Sequence, residues 1–104
     1  MSIKYANNEN FDQLTKEGFT IVDFYSTTCV PCKMFSAILE DIEAELPFVN
    51  IVKVNITECP ELGEKFDIRA VPTIHFYSDG ELKENHLGVI PEEDLREMIG
   101  GYLY

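Results

Sequence analysis

A chain of 104 residues has the length of one domain and can bury a single core without cross-links. Nineteen acidic against eight basic residues leave a formal net charge of −11, which repels phosphate backbones and anionic lipid and excludes nucleic acid and membrane surfaces as partners. Three cysteines are too few and too odd for a secreted disulfide framework, and no apolar run approaches the roughly 20 residues that span a bilayer.

The first residues, Met1 to Asn7, lack a basic stretch leading into an apolar one, so the sequence shows no secretory signal and points to a reducing cytoplasm. Asn7 or Asn8 is placed to cap a helix with Phe11 and Leu14 at helical spacing, stopped by Gly18. Phe19 to Ser26 is a nearly continuous apolar run, the mark of a strand covered on both faces. Thr27-Thr28-Cys29-Val30-Pro31-Cys32 then opens a helix with Phe35, Ile38, Leu39, Ile42 and Leu46 on one stripe, ended by Pro47. Phe48 to Asn55 reads as a second buried strand, and Pro60 to Phe66 as a short helix with proline in its first turn. Thr73 to Ser78 is a strand, Asp79-Gly80 a tight turn, and Glu81 to Val89 the antiparallel return. Pro91 opens a last helix carrying Leu95, Met98 and Ile99. Elements in this order give an α/β domain with a central mixed sheet and helices on both faces.

A Cys-x-x-Cys pair that opens a helix straight after a buried strand carries a specific mechanism. At or near the helix N-cap, Cys29 meets unpaired backbone N–H groups and the positive end of the helix dipole, which favour its thiolate, the reactive form. Cys32 lies about one turn on, close enough to resolve a mixed disulfide. Pro31 is tolerated there because its missing N–H had no intrahelical partner, and it removes one donor to the sulfur. The rival reading is half a zinc site. It needs about four ligands, and only Cys59, His75 and His86 remain, scattered and without a second close pair, so the sequence points to no metal.

The segment from Val22 through Asp23 and Cys29-Val30-Pro31-Cys32 to Met34 resembles the active-site signature of the thioredoxin family. Ile68-Arg69-Ala70-Val71-Pro72-Thr73 resembles its cis-proline loop, and Gly88 falls where the family has a groove glycine. Order and spacing match from Phe11 to Leu103. The resemblance implies a thioredoxin fold over residues 1–104, a monomer without bound cofactor, and a protein-disulfide reductase in which Cys29 attacks and Cys32 resolves. It further implies that Asp23, buried behind the dithiol, helps deprotonate Cys32, and that Lys53 stands near that carboxylate, either tuning it or merely pairing with it. The Val71–Pro72 peptide is implied to be cis, with the Val71 backbone pairing to an extended client segment and Thr28, Val30, Pro31 and Gly88 lining the client groove. Implied partners are a thioredoxin reductase, a flavoprotein drawing on NADPH or on ferredoxin, and clients such as ribonucleotide reductase, peroxiredoxin and methionine sulfoxide reductase. An oxidant or isomerase of the same fold, or a non-catalytic adaptor, is the alternative.

The chain departs from the family pattern at Thr28 and Tyr25, where tryptophan is usual, at Val30 in place of glycine, and at Ala37 in place of a helix-kinking proline. None of these removes a reacting group. Cys59, ahead of Pro60 at a helix start, reads as a loop thiol, with regulatory oxidation as its sharper alternative. His75 and His86 read as structural or exposed.

Overall fold

A computed structural model describes residues 3–103, as β1 (Ile3–Tyr5), α1 (Phe11–Thr15), β2 (Phe19–Tyr25), α2 (Val30–Glu45), β3 (Asn50–Asn55), α3 (Pro60–Lys65), β4 (Thr73–Ser78), β5 (Glu81–Leu87) and α4 (Glu92–Leu103). The strands form one sheet in the order β1-β3-β2-β4-β5. β2 runs parallel to β3 and antiparallel to β4, so the sheet is mixed and β2 lies at its centre.

Side-chain alternation along β2 divides the core in two. Ile21, with Ile51 and Phe76 at paired positions and Ile74 in the same cluster, faces α2 and α4 and packs against Phe35, Leu39, Ile42, Leu95 and Ile99. Val22 and Phe24, with Val52 and Val54, face α1 and α3 and pack against Phe11, Leu62 and Tyr77. The helical stripe expected from sequence on α2 is therefore the buried one.

Besides one-residue differences at the ends of β2 and α3, the structure departs from expectation in four places. β1 was not anticipated: three residues without an apolar run leave no strand signal, yet Ile3 to Tyr5 pair with Ile51 to Lys53 and the ladder continues through Ala6 N–H to the Lys53 carbonyl at 2.9 Å. The N-cap of α1 is Asn10, without a side-chain cap bond, because Asn7 is spent on the preceding turn, where its Oδ1 accepts from Glu9 and Asn10 N–H at 2.9 Å each. β3 starts at Asn50 rather than Phe48, which is exposed in the turn after α2. β5 ends at Leu87 rather than Val89, because Gly88 turns the chain at φ 88°.

The Asp79-Gly80 hairpin has φ of 50° and 85° at its two central residues, the primed geometry that fits strand twist. It also docks on the loop before β2: Asp79 N–H donates to the Gly18 carbonyl at 3.0 Å, and Gly18 N–H donates to Asp79 Oδ1 at 2.8 Å.

Candidate active site

The carboxyl end of β2 delivers the chain to the start of α2, and there the two sulfurs sit. Cys29 is the N-cap of α2, its backbone extended at φ −99°, ψ 111°, and Pro31 occupies the first turn. The Cys32 N–H donates to Cys29 Sγ at 3.1 Å, so the sulfur occupies the place of a capping oxygen and receives one of the helix's free donors. The structure holds the oxidised form, a Cys29–Cys32 disulfide. Cys29 is 9 % exposed and Cys32 3 %: the order is the expected one, but Cys29 is more covered than its place at a helix start suggested. The loop before β4 covers it. The Val71 carbonyl oxygen lies 3.7 Å from Cys29 Sγ, and the Val71–Pro72 peptide is cis. Gly88 N–H donates to the Pro72 carbonyl at 2.8 Å and ties the end of β5 to the same loop. Around the sulfurs Thr28, Val30 and Pro31 are exposed, Val30 by 67 %, and Met34 one turn on by 60 %.

Beneath this cap, on the α2 face, lies Asp23. It sits two residues nearer the carboxyl end of β2 than Ile21, toward the point where α2 begins. It is fully buried, and neither carboxylate oxygen has a hydrogen-bond partner. Burial pushes its carboxyl up to about 7, against the opposing pull of the Lys53 ammonium. Lys53 stands beside Asp23 in the β2–β3 register, on the same face, and is itself buried. Its Nζ does not reach the carboxylate. It donates instead to Ser36 Oγ on α2 at 2.5 Å and lies over the Tyr25 ring at 4.8 Å from the centroid.

A small cavity of about 140 Å³ opens here, lined by Cys32, Ser36 and Lys53 with Tyr25, Ser26, Thr27 and Lys33. Sequence reasoning named Cys32 and Lys53 but missed Ser36, because a serine in mid-helix carries no spacing signal. Its place one turn after Cys32 is the only hint.

The remaining candidates lie elsewhere. Cys59 is the half-buried N-cap of α3, its side chain making no cap bond. His75 is buried on the opposite face of the sheet, and burial pushes its imidazole down to about 4. His86 pairs with Glu84 on β5, Nε2 to Oε1 at 3.0 Å. Among the described residues no three His, Cys, Asp or Glu side chains come together as metal ligands, and no helix is long and apolar enough to cross a membrane.

The family model described as Thioredoxin matches residues 2–100. A protein named thioredoxin from Listeria monocytogenes is 36 % identical over 102 residues, 97 % of this chain and 99 % of that one. One from Bacillus subtilis is 34 % identical over 104 residues, 99 % of this chain and the whole of its own. Among solved structures, Malassezia sympodialis thioredoxin superposes with a TM-score of 0.85 at 28 % identity, over 97 % of this chain and 90 % of that chain.

Proposed function

Because the chain belongs to the thioredoxin family and is a thiol–disulfide oxidoreductase that reduces protein disulfides, we propose the division of labour among its site residues that follows. In the reduced protein the Cys29 thiolate attacks one sulfur of a client disulfide. The client S–S bond breaks, one client sulfur leaves as a thiolate that takes up a proton, and a Cys29–client disulfide forms. Cys32 then gives its proton to the Asp23 carboxylate and attacks Cys29 Sγ. The second client sulfur leaves, and the Cys29–Cys32 disulfide is the product, two electrons having passed to the client.

The observation that carries this reading is the capping geometry: Cys29 Sγ receives the Cys32 N–H at a helix start, where negative charge is stabilised. Asp23, unpartnered and titrating near 7, is a carboxyl that exchanges a proton at physiological pH. Lys53 sets how readily it does so. The Val71 backbone and cis-Pro72 hold an extended client segment beside Cys29, with Thr28, Val30, Pro31 and Gly88 as the rim it crosses.

The same reading makes residues 1–104 one domain acting as a monomer without cofactor. It assigns regeneration of the dithiol to a thioredoxin reductase, a flavoprotein fed by NADPH or ferredoxin, and clients to the class of ribonucleotide reductase, peroxiredoxin and methionine sulfoxide reductase. A reductant of this kind must be kept as the dithiol, which suits a cytoplasmic setting.

The test is insulin reduction with dithiothreitol as donor, together with trapping from an extract. Cys29→Ser should abolish reduction and trap almost nothing. Cys32→Ser should accumulate client proteins as mixed disulfides. Equal trapping by the two variants would assign the nucleophile wrongly.

A further inference from the structure

Lys53 and Asp23 are paired residues on adjacent parallel strands, both turned to the α2 face. Such neighbours are separated by roughly 5 Å of backbone, well within the reach of a lysine side chain. A buried ammonium beside a buried carboxylate ordinarily pairs with it, since desolvation makes an unpaired charge expensive. Here both Asp23 oxygens are without a partner, and the ammonium is bonded to Ser36 Oγ across the helix–sheet gap. Ser36 follows Cys32 by one helical turn, and the two side chains share the cavity that Lys53 lines from below.

We propose that Ser36 is a positioning residue: its hydroxyl tethers the Lys53 ammonium to α2 and holds it off the Asp23 carboxylate, leaving that carboxylate free to take the Cys32 proton. The inference rests on the assignment of Asp23 as proton acceptor. Its physical content is separate, because it concerns where one ammonium sits. With the tether the ammonium is close enough to favour the ionised carboxylate but makes no bond to it. Without the tether, the same ammonium has one unpartnered anion in reach and closes on it.

The other groups around Asp23 offer no substitute for this control. β2 contributes Tyr25, two residues on; Tyr5 at the end of β1 and Glu58 in the loop after β3 act on that tyrosine. β4 contributes Ile74 opposite Asp23, while His75 turns to the other face. α2 contributes Cys32 and, at the rim of the cavity, Lys33, whose side chain is exposed to water; the α4 residues on this side, Leu95 and Ile99, are apolar.

The experiment follows the Asp23 side-chain carboxyl by carbon NMR through a pH titration of the oxidised protein. Alongside it, the release of client thiol from a preformed Cys29 mixed disulfide is timed across the same pH range. Ser36→Ala, which favours the helix if anything, should lower the Asp23 midpoint from about 7 by about one unit as the ion pair closes. Ser36→Thr keeps the hydroxyl and should leave the midpoint in place. In a Lys53→Met background, Ser36→Ala should have no further effect on it. A midpoint that stays or rises in Ser36→Ala overturns the inference. A midpoint that falls while the pH profile of thiol release does not move leaves Ser36 as the tether and removes Asp23 from the proton path.

Discussion

Two buried ionisable side chains stand on opposite faces of the central sheet, one strand apart. Asp23 on β2 looks toward α2; His75 on β4, beside Val22 in the register, looks toward α1 and α3. Both are almost fully removed from water, and neither has a hydrogen-bond partner on its side-chain polar atoms. Burial drives each toward its neutral form, Asp23 up to about 7 and His75 down to about 4.

Their surroundings differ. Asp23 has an ammonium next to it and a cavity shared by that ammonium and Cys32 close at hand. His75 has rings: Phe24 with centroids 4.8 Å apart and Phe66 at 5.9 Å, both edge-on, and Tyr77 at 6.1 Å. A neutral imidazole in that setting packs as one more aromatic ring. Burial alone therefore does not mark a functional group. What separates the two is whether the midpoint falls where the chemistry runs and whether a reacting atom is near enough to exchange the proton.

Asp23→Asn breaks the comparison on the side where the larger effect is expected. Turnover of insulin should fall about 100-fold, the lower end of what a positioned proton acceptor contributes, if Asp23 takes the Cys32 proton as proposed. Stability should move the other way. The folded midpoint lies above the unfolded one, near 3.8, so ionising Asp23 costs stability as pH rises through that window and costs it in full above about 7. The variant should be more stable than the parent by about 1–3 kcal/mol at pH 8, the buried amide retaining part of the desolvation penalty. The gain should shrink as pH falls, vanish between about pH 7 and 4, and reverse below about pH 4, where the parent carboxyl is neutral and only the cost of the buried amide remains. Denaturant titrations at several pH values measure it, and an unchanged turnover rate would make Asp23 a structural residue like its counterpart across the sheet.

The α2 side also differs in that it opens to solvent, at Thr28, Val30 and Met34, whereas the ring cluster around His75 is closed. Thr28 and Val30 carry no charge and move no proton, so altering them should change fit rather than chemistry. A reductase from an unrelated thioredoxin system should turn the protein over poorly. Thr28→Trp with Val30→Gly should recover about tenfold, the size of a small steric difference in a pocket, with insulin reduction by dithiothreitol little altered. Efficient use of that reductase by the parent protein would show that the rim does not select partners.

The difference between the two faces was only half legible in the sequence. A carboxylate inside Ile21-Val22-Asp23-Phe24 is desolvated whichever way it points, so its raised midpoint followed from the run itself. The Cys-x-x-Cys pair after a buried strand fixed the helix start, and the strand and helix patterns gave the mixed sheet. His75, in an equally apolar strand, read only as structural or exposed, because alternation does not say which face a single histidine takes. Ser36 was invisible, since its bond depends on how α2 is rotated over β3. β1 was missed because an edge strand of three residues is defined by its partner and not by its own composition.

His75→Phe should have the smallest effect on turnover, within about twofold, as the ring lies across the sheet from the sulfurs. Its signature lies in stability against pH. The folded midpoint near 4 lies below the ordinary 6.5, so as pH falls the unfolded chain takes up the proton first. The parent therefore loses stability between about pH 6.5 and 4, by up to about 3 kcal/mol for a shift of this size. Asp23 acts in the opposite sense over nearly the same interval, gaining stability as it protonates between about 7 and 3.8. The two contributions offset each other in the parent, and removing either uncovers the other. A phenyl ring keeps the edge-on contacts with Phe24 and Phe66 but is larger than imidazole, and overpacking adds a cost that does not depend on pH. The quantity to measure is thus the difference between variant and parent, which should grow in the variant's favour by about 3 kcal/mol from pH 7.5 to pH 4. In the double variant with Asp23→Asn both slopes are gone, and the curve should run parallel to that of the parent through this interval. If His75→Phe alone runs parallel to the parent, the imidazole does not resist protonation in the folded protein, and the symmetry between the two faces does not hold.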